Sequence, residues 1–480
     1  MKRIRPLTLL ILAALLLGGV GFSARAAQIN LPDLPSWSTD GEQTGSDYGL
    51  AVSGAGDING DGWDDILIGA PLYESGVYRE GVVYAFHGSE SGLHSTANWM
   101  IGSGQTGARF GAALASAGDV NQDGYADVLI GAYKYNAGQP SEGAAFLYLG
   151  SAEGLQETPA WSVEGNASEI ELGYAVDGAG DLNCDNYLDL VIGVHHFTDG
   201  QSSEGQVRVF YGSATGFETD SYWSYVSNKT GASLGASVAG LGDVNGDGCD
   251  DLAVGAPYYD DLVNDSGAVM VFYGSAAGLG DGYDWMAAGT TEDEEFGISV
   301  AAGDLNQDGF TDLLVGAPGY DDDMTDQGAA LVYLGSVDGL DGQPAMIWKG
   351  AQTGSQFGFS LDCAGDINGD GFIDSLVGAP FYTNDQQDEG GIFVFYGRKQ
   401  ELPTAYDWRN YGNKAETSFG FSVAAAGDLD GDGYGDILAG APTYRVNKVI
   451  VGRAIGYYGE QDPVIWQLFM PMVVKQGSSE

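Results

Sequence analysis

The sequence is poor in cysteine, basic residues and histidine, and each shortage excludes a class of protein. Three cysteines in 480 residues are too few for a disulfide framework. Only 18 lysines and arginines stand against 67 aspartates and glutamates, so the net charge is −49. Such a negative surface repels nucleic acid and anionic membranes. We therefore expect no nucleic-acid partner.

The three cysteines are expected to be free, partly buried thiols. Cys184 and Cys249 lie in corresponding loops of neighbouring repeats, and Cys363 lies in a strand of small residues. A bridge between the first two is an open alternative. We disfavour it because equivalent loops of adjacent repeats should lie farther apart than a disulfide can span.

Catalysis has little support in the sequence, and we expect no enzyme. The four histidines are His87, His94, His195 and His196, and none lies in a zinc-protease motif. No nucleophile elbow or phosphate-binding loop is present either. The adjacent pair His195–His196 interrupts the repeat pattern. It could be a functional site or neutral sequence variation in a loop, and both interpretations stay open.

The first residues are typical of a secretory signal peptide. Lys2, Arg3 and Arg5 precede an apolar run over residues 7–17 and a small-residue stretch over 24–27. A membrane anchor is the alternative, but it needs roughly 18 or more apolar residues. We expect a signal peptide over residues 1–26 and a mature protein that is secreted or associated with the cell surface.

What the sequence has in abundance is an acidic loop that occurs seven times, at intervals of 61 or 62 residues. In the loop that starts at Asp366, oxygen-bearing side chains stand at positions 1, 3, 5 and 9, and Gly371 stands at position 6. Ca²⁺ takes six to eight oxygen ligands, and glycine permits the sharp turn between them. An EF-hand is excluded because position 12 is apolar, as at Ile68 and Val377, and strands flank the loop. A purely acidic turn is the alternative to a calcium site.

The predicted calcium ligands occupy the same four positions in every loop. They are Asp57, Asn59, Asp61, Asp65, Asp119, Asn121, Asp123, Asp127, Asp181, Asn183, Asp185, Asp189, Asp243, Asn245, Asp247, Asp251, Asp304, Asn306, Asp308, Asp312, Asp366, Asn368, Asp370, Asp374, Asp428, Asp430, Asp432 and Asp436.

Each repeat consists of four short strands separated by Gly, Asn and Asp turns. Seven such units predict an all-β, seven-bladed β-propeller of four-stranded antiparallel blades. We expect it over residues 27–460, with a C-terminal tail at 461–480 and repeats near 37–98, 99–160, 161–222, 223–284, 285–347, 348–407 and 408–460. Either the strand at Trp37 or a strand at Trp466 could close the ring, and the spacing favours Trp37.

The motifs that flank the loops resemble those of a known family. Phe296-Gly297 with Gly316-Ala317-Pro318, and Phe357-Gly358 with Gly378-Ala379-Pro380, resemble the FG-GAP repeats of the integrin α-subunit N-terminal β-propeller. The resemblance implies Ca²⁺ in the acidic loops. It also implies a non-catalytic adhesion or ligand-binding module whose FG and GAP turns face the partner.

The chain departs from that family in several ways. Regular spacing leaves no room for an inserted adhesion domain, and all seven repeats carry an acidic loop, so we expect a stand-alone, secreted, monomeric relative. It would hold up to seven Ca²⁺ ions, with the weakest site in repeat three. There Asn186 replaces glycine, Leu172 replaces the aromatic residue, and Gly193-Val194-His195 replaces Gly-Ala-Pro.

Aromatic residues after the GAP turns are a candidate ligand face for a protein or glycan at a cell surface or in matrix. The alternative is that they pack beneath their own hairpins. The residues singled out are Tyr73, Tyr133, Tyr135, His195, His196, Phe197, Tyr258, Tyr259, Tyr320, Phe381, Tyr382 and Tyr444.

Two other functions stay open at this point: a structural module of an extracellular or envelope assembly, and a polysaccharide-acting enzyme. Sequons at Asn166, Asn228 and Asn264 would make the chain a glycoprotein in a host that glycosylates exported proteins.

Overall fold

The strands of one repeat differ in burial, and the two fully buried strands lie in the middle of the sheet. All six residues of Asp65–Ala70 and all five of Val82–Phe86 are buried, as expected for apolar strands covered on both faces. Val52–Gly56 is rich in small residues, and Trp99–Gly102 is partly exposed. The small-residue strand is innermost, because it contacts the small-residue strands of both neighbouring sheets, and the tryptophan strand is outermost.

The computed structural model describes residues 31–260, 263–399 and 401–459. The predicted signal peptide, Trp466 and the tail at 461–480 lie outside these residues. Within them the regular secondary structure consists of strands alone. No helix that could cross a membrane occurs in this part of the chain.

Seven antiparallel four-stranded sheets share one design. The innermost strands are β2 (Val52–Gly56), β6 (Ala113–Gly118), β10 (Val176–Gly180), β14 (Ser237–Gly242), β18 (Val300–Gly303), β22 (Ser360–Cys363) and β26 (Ser422–Gly427). The second strands are β3 (Asp65–Ala70), β7 (Asp127–Ala132), β11 (Asp189–Val194), β15 (Asp251–Ala256), β19 (Asp312–Ala317), β23 (Ser375–Ala379) and β27 (Asp436–Ala441). The third strands are β4 (Val82–Phe86), β8 (Ala144–Tyr148), β12 (Gln206–Phe210), β16 (Ala268–Phe272), β20 (Ala329–Tyr333), β24 (Gly391–Phe395) and β30 (Arg453–Tyr457). The outer strands are β5 (Trp99–Gly102), β9 (Trp161–Glu164), β13 (Trp223–Val226), β17 (Trp285–Ala288), β21 (Met346–Lys349), β25 (Trp408–Tyr411) and β1 (Trp37–Asp40), and a small hairpin joins β28 (Arg445–Val446) to β29 (Val449–Ile450).

The sheets form a closed ring, which confirms the seven-bladed propeller. Each inner strand contacts the inner strand of the next sheet, and β26 contacts β2. The N-terminal strand completes the last blade: β1 pairs with β30, and Trp37 lies opposite Gly456. Asp40 accepts hydrogen bonds from the guanidinium of Arg453 in the same pair. The closure favoured from the spacing is therefore the one observed.

The FG and GAP glycines meet at the joints between blades. A Cβ atom on Gly69, in the first GAP turn, would lie 2.0 Å from the carbonyl oxygen of Gly111 in the next FG turn. Gly111 itself has a φ of 81°. The neighbouring Phe110 is 1% exposed and fills the joint with Val83 and Ile130. Glycine is thus needed for close backbone approach, and the aromatic ring supplies the apolar core of the joint.

Candidate metal loops and ligand-binding face

The two ends of each blade carry different chemistry. In the first blade, Gly56 pairs with Asp65 beside the acidic loop. At the other end the amide of Gly49 donates to the carbonyl of Gly69. We call these the loop end and the FG–GAP end. A metal held by the loops and a ligand held by the turns would therefore occupy opposite ends of the propeller.

The first acidic loop is organised by its own side-chain oxygens. Asp57 Oδ1 accepts the amide hydrogen of Gly60 at 2.6 Å, and Asp57 Oδ2 accepts that of Gly62 at 2.9 Å. Asn59 Oδ1 accepts the amide of Asp61 at 2.9 Å. These bonds turn the oxygens at positions 1 and 3 into the loop. A carboxylate offers about four acceptor sites, so oxygen lone pairs stay available for a cation.

The carboxylate at position 9 is buried and surrounded by like charge. Asp65 is 0% exposed, and its two oxygens accept the amides of Ile58 at 3.0 Å and Gly88 at 2.9 Å. Burial, with a further contribution from the charges of Asp61 and Asp57, raises the pKa of Asp65 to about 8. A nearby cation would favour the ionised form and offset this cost.

Burial also raises the pKa of the position-9 aspartate in each of the other loops. The pKa is raised to about 7 in Asp127, Asp189, Asp251 and Asp312, and to about 8 in Asp374 and Asp436. In the last loop, single oxygens of Asp428, Asp430 and Asp432 lie within 4.8 Å of one another. Oxygen-only donors in such a cluster fit Ca²⁺.

The third loop has the same backbone shape as the others, although asparagine replaces glycine at position 6. Asn186 takes a φ of 69° at position 6, where the other loops have glycine. Its amide still donates to Asp181 Oδ2, at 2.7 Å. Asparagine tolerates the left-handed region better than most residues. The side chains of this loop are thus arranged like those of the first.

Neighbouring loops contact one another around the ring, and this overturns the expectation of three free thiols. Cys184 and Cys249 form a disulfide with a Cα–Cα distance of 5.2 Å, while Cys363 is free. Equivalent positions of neighbouring loops are not the ones that meet. In fact position 4 of one loop meets position 7 of the next: a Cβ on Gly60 would lie 2.5 Å from Tyr125 Cε1. The two cysteines stand at these two positions.

The aromatic residues after the GAP turns divide into two groups. One group packs in or against the core of the blades, as the alternative reading expects: Tyr73, Tyr135, Phe197, Tyr259, Tyr320, Tyr382 and Tyr444. The other group is reached by solvent. Tyr258 is 39% exposed and Phe381 37%, Tyr133 is half-buried, and His196 is exposed beside the buried His195. Only some of the twelve residues singled out from the sequence therefore contribute to the exposed surface at this end.

Tyr174, which the sequence reading missed, extends this surface. It follows Gly173 of the third FG turn and is 39% exposed. Its ring lies 5.4 Å from that of Tyr133 and 3.6 Å from that of His195. Burial, with contributions from the charges of His196 and Lys134, lowers the pKa of His195 to about 3, against the opposing effect of Glu171. One sequence feature could have indicated Tyr174: it follows the FG glycine directly, and this position is also aromatic at Phe359 and Phe421.

Buried glutamates organise the hairpins at this end and were also missed. Glu142 Oε1 accepts the amides of Gly138 at 2.6 Å and Gln139 at 2.9 Å. Glu389 accepts three amides of its own hairpin in the same way. The signal was a Glu-Gly pair before the third strand, in Glu80-Gly81, Glu142-Gly143, Glu204-Gly205 and Glu389-Gly390.

Two carboxylates line the axial channel. Asp177 Oδ2 accepts the amide of Gly240 at 3.1 Å, and Asp362 Oδ2 accepts that of Ala425 at 2.8 Å. Burial raises the pKa of Asp177 to about 7, to which the charge of Asp362 adds, and raises that of Asp362 to about 6. Each residue thus joins its inner strand to that of the next blade.

The FG-GAP repeat family matches residues 48–86, 110–148, 234–272, 296–333 and 419–454. Integrin alpha pat-2 of Caenorhabditis elegans is 33% identical over 225 residues, which cover 43% of this chain and 18% of the relative. Integrin alpha-5 of Xenopus laevis is 37% identical over 169 residues (33% and 16%), and integrin alpha-V of Gallus gallus 31% over 230 residues (46% and 21%). The chain thus spans about a fifth or less of the length of these relatives. These matches show FG-GAP repeats at five places in the chain, and they show that parts of the chain are similar to integrin α subunits.

Proposed function

We propose that the chain is an exported, calcium-stabilised propeller that binds a protein or glycan at a cell surface or in matrix and catalyses no reaction. The observation that carries the proposal is the exposed aromatic surface formed by Tyr133, Tyr174 and Tyr258 at the FG–GAP end. Tyr174 and Tyr258 are each 39% exposed. Rings with a polar edge can stack on a sugar or anchor a protein partner.

Calcium is proposed for the acidic loops because their donors are oxygens alone. In the first loop Asp57, Asn59, Asp61 and Asp65 would hold the ion, and the equivalent residues would do so in the other six. The ion would neutralise carboxylates that stand close together in a partly buried loop. Asn186 in the third loop would make that site the weakest.

Neighbouring loops are hydrogen-bonded to each other across the joints between blades, so calcium in the loops would stiffen the whole ring. The amide of Ala126, in the second loop, donates to the carbonyl of Asp57 in the first. The amide of Asp64 donates in the same way to Asp428 of the last loop. An ion held by Asp57 or Asp428 therefore fixes the joint as well as the loop. The ligand face would keep its shape through this indirect effect, without contact between metal and ligand.

Binding of the full chain to a glycan and matrix-protein array, with Ca²⁺ and with a chelator, tests the proposal. We expect hits in Ca²⁺ that weaken in chelator. Tyr174→Ala and Tyr258→Ala should each lower the affinity roughly tenfold, the scale of a truncated anchor residue. Tyr283→Ala is the matched control, since Tyr283 is 44% exposed and precedes outer strand β17 at the loop end.

Two results would contradict the proposal in different ways. A folded chain without any array hit would favour the structural-module function instead. Binding that is unchanged in both tyrosine variants would place the ligand elsewhere on the propeller. A melting temperature that is the same in Ca²⁺ and in chelator would remove calcium as the stabilising ion.

A further inference from the structure

The third repeat brings three side chains with metal-ligand chemistry together at the FG–GAP end. Glu171 precedes the FG turn, and His195 and His196 follow strand β11. Glu171 Oε2 lies 3.6 Å from His195 Nε2, and Glu171 Oε1 lies 3.4 Å from His196 Nδ1. One donor atom from each residue lies within 4.8 Å of the other two. The proposed calcium function uses none of these atoms.

We propose that Glu171, His195 and His196 form a site for one divalent transition-metal ion of the Zn²⁺ type. Bonds of 2.0–2.1 Å in tetrahedral geometry place donor atoms about 3.3 Å apart. The two Glu171–His distances, each to a different carboxylate oxygen, are close to this value. Two imidazoles and one carboxylate favour Zn²⁺, Co²⁺ or Ni²⁺, whereas Ca²⁺ takes oxygen ligands.

The burial of the site also suits a metal. Glu171 is 4% exposed and His195 is 8% exposed. The 3.6 Å from His195 Nε2 to Glu171 Oε2 is too long for a good hydrogen bond. A buried imidazole with so little hydrogen bonding is costly. An ion between Nε2 and Oε2 would replace the long contact by two coordinate bonds.

The surroundings hold His195 in place and leave one side open. The ring of Tyr174 lies on His195, with 3.6 Å between ring centroids. The two imidazoles stack at 4.0 Å, so the exposed ring of His196 would turn out of this stack to direct Nδ1 at the ion. The side chain of His196 is 44% exposed. A metal here would have three protein ligands and a fourth position facing solvent, which a water or a ligand oxygen can fill.

Lys134 competes with the metal. Its ammonium contacts Glu171 Oε1, and its side chain is 37% exposed, so that it can turn out into solvent. Metal binding therefore requires the loss of one ion pair. Removal of the ammonium should tighten metal binding.

The test is a Co²⁺ titration of the full chain, followed by visible absorption. The protein is first stripped with chelator and then kept in excess Ca²⁺, so that the acidic loops are saturated. We expect one Co²⁺ per chain with a tetrahedral absorption spectrum, displaced by Zn²⁺. His196→Ala and His195→Phe should each weaken binding at least tenfold, and Lys134→Met should strengthen it. His195→Phe keeps a ring on Tyr174, and His196 is exposed, so neither change should prevent folding.

His94→Ala is the control, because His94 and its neighbour His87 are the other two histidines and lie in the first repeat. It should leave the titration unchanged. Equal affinity in the wild type, His196→Ala and His195→Phe would overturn the proposal, as would several weak ions per chain that Ca²⁺ displaces. No partner is needed for this readout, so its failure is distinguishable from failure of the ligand-binding function.

Discussion

Cys184 and Cys249 are joined across the third and fourth blades at the place where four other joints set a glycine beneath an aromatic ring. Their Cα atoms are 5.2 Å apart. The same contact in the first joint is made by Gly60 and Tyr125. Position 4 of each loop has a positive φ, 57° at Cys184 and 73° at Gly60. A disulfide and a glycine–aromatic contact thus occupy the same position in different joints.

Replacement of the disulfide by Cys184→Ser and Cys249→Ser should lower the free energy of unfolding by about 4 kcal/mol, given a sequence separation of 65 residues. The pair Cys184→Gly and Cys249→Tyr should regain part of this loss, because it recreates the Gly60–Tyr125 contact and relieves the positive φ. Denaturant unfolding in Ca²⁺ measures both variants. If the Gly/Tyr pair is no more stable than the Ser/Ser pair, the two chemistries are not equivalent.

Asn186→Gly should strengthen calcium binding in the third loop and raise the free energy of unfolding by about 1 kcal/mol, the cost of a left-handed residue other than glycine. Gly62→Asn is the reciprocal change in the first loop. A Cβ on Gly62 would meet no atom within 4 Å, so its cost is that of the backbone alone. Calcium titration with thermal unfolding measures both. We expect the free energy of unfolding to rise in Asn186→Gly and to fall in Gly62→Asn. A change in the same direction in both variants would contradict the role given to position 6.

Asp177→Asn should stabilise the protein more at pH 8 than at pH 5. Because burial raises the pKa of Asp177 to about 7, the folded state holds a proton that the unfolded state releases near pH 4. The stability from this proton is present at low pH and is lost as the pH rises through 7. Asparagine removes the charge and keeps an oxygen for the amide of Gly240. We expect a gain on the order of 1–3 kcal/mol at pH 8.

Thermal unfolding at both pH values in excess Ca²⁺ measures the effect of Asp177→Asn. Asp281→Asn on an exposed turn is the control and should change little. A gain at pH 5 as large as that at pH 8 would mean that the charge of Asp177 is not the cause.

Trp37→Ala should destabilise the whole propeller, because Trp37 belongs to the strand that closes the ring. It is 9% exposed, and its indole Nε1 donates to the carbonyl of His94 in the first blade at 3.0 Å. We expect a loss of about 3–5 kcal/mol in a single unfolding transition. Trp348→Ala removes a buried indole with a similar hydrogen bond, from Nε1 to the carbonyl of Pro403 at 2.6 Å, in a blade that the chain connection already holds, and should cost less. Equal losses would show that closure adds nothing at this position.

The fold was predictable because its signals are local and repeated. The acidic loop and the FG and GAP turns recur in register, and each has a backbone reason, as with Gly69 against Gly111. The choice of β1 as the closing strand followed from the spacing of Trp37. The Cys184–Cys249 bridge did not follow, because it joins different positions of two repeats across a joint that the spacing does not describe.

By itself, the sequence determined the number of blades, the four strands in each and the positions of the acidic side chains, since these depend on short segments with a fixed period. The tertiary structure alone decided which side chains meet between blades and which reach solvent. Tyr259 is buried while its neighbour Tyr258 is exposed, and Glu171 meets His195 and His196 from a separate segment. Exposure and contact depend on how the blades pack, and packing brings together residues that no local pattern connects.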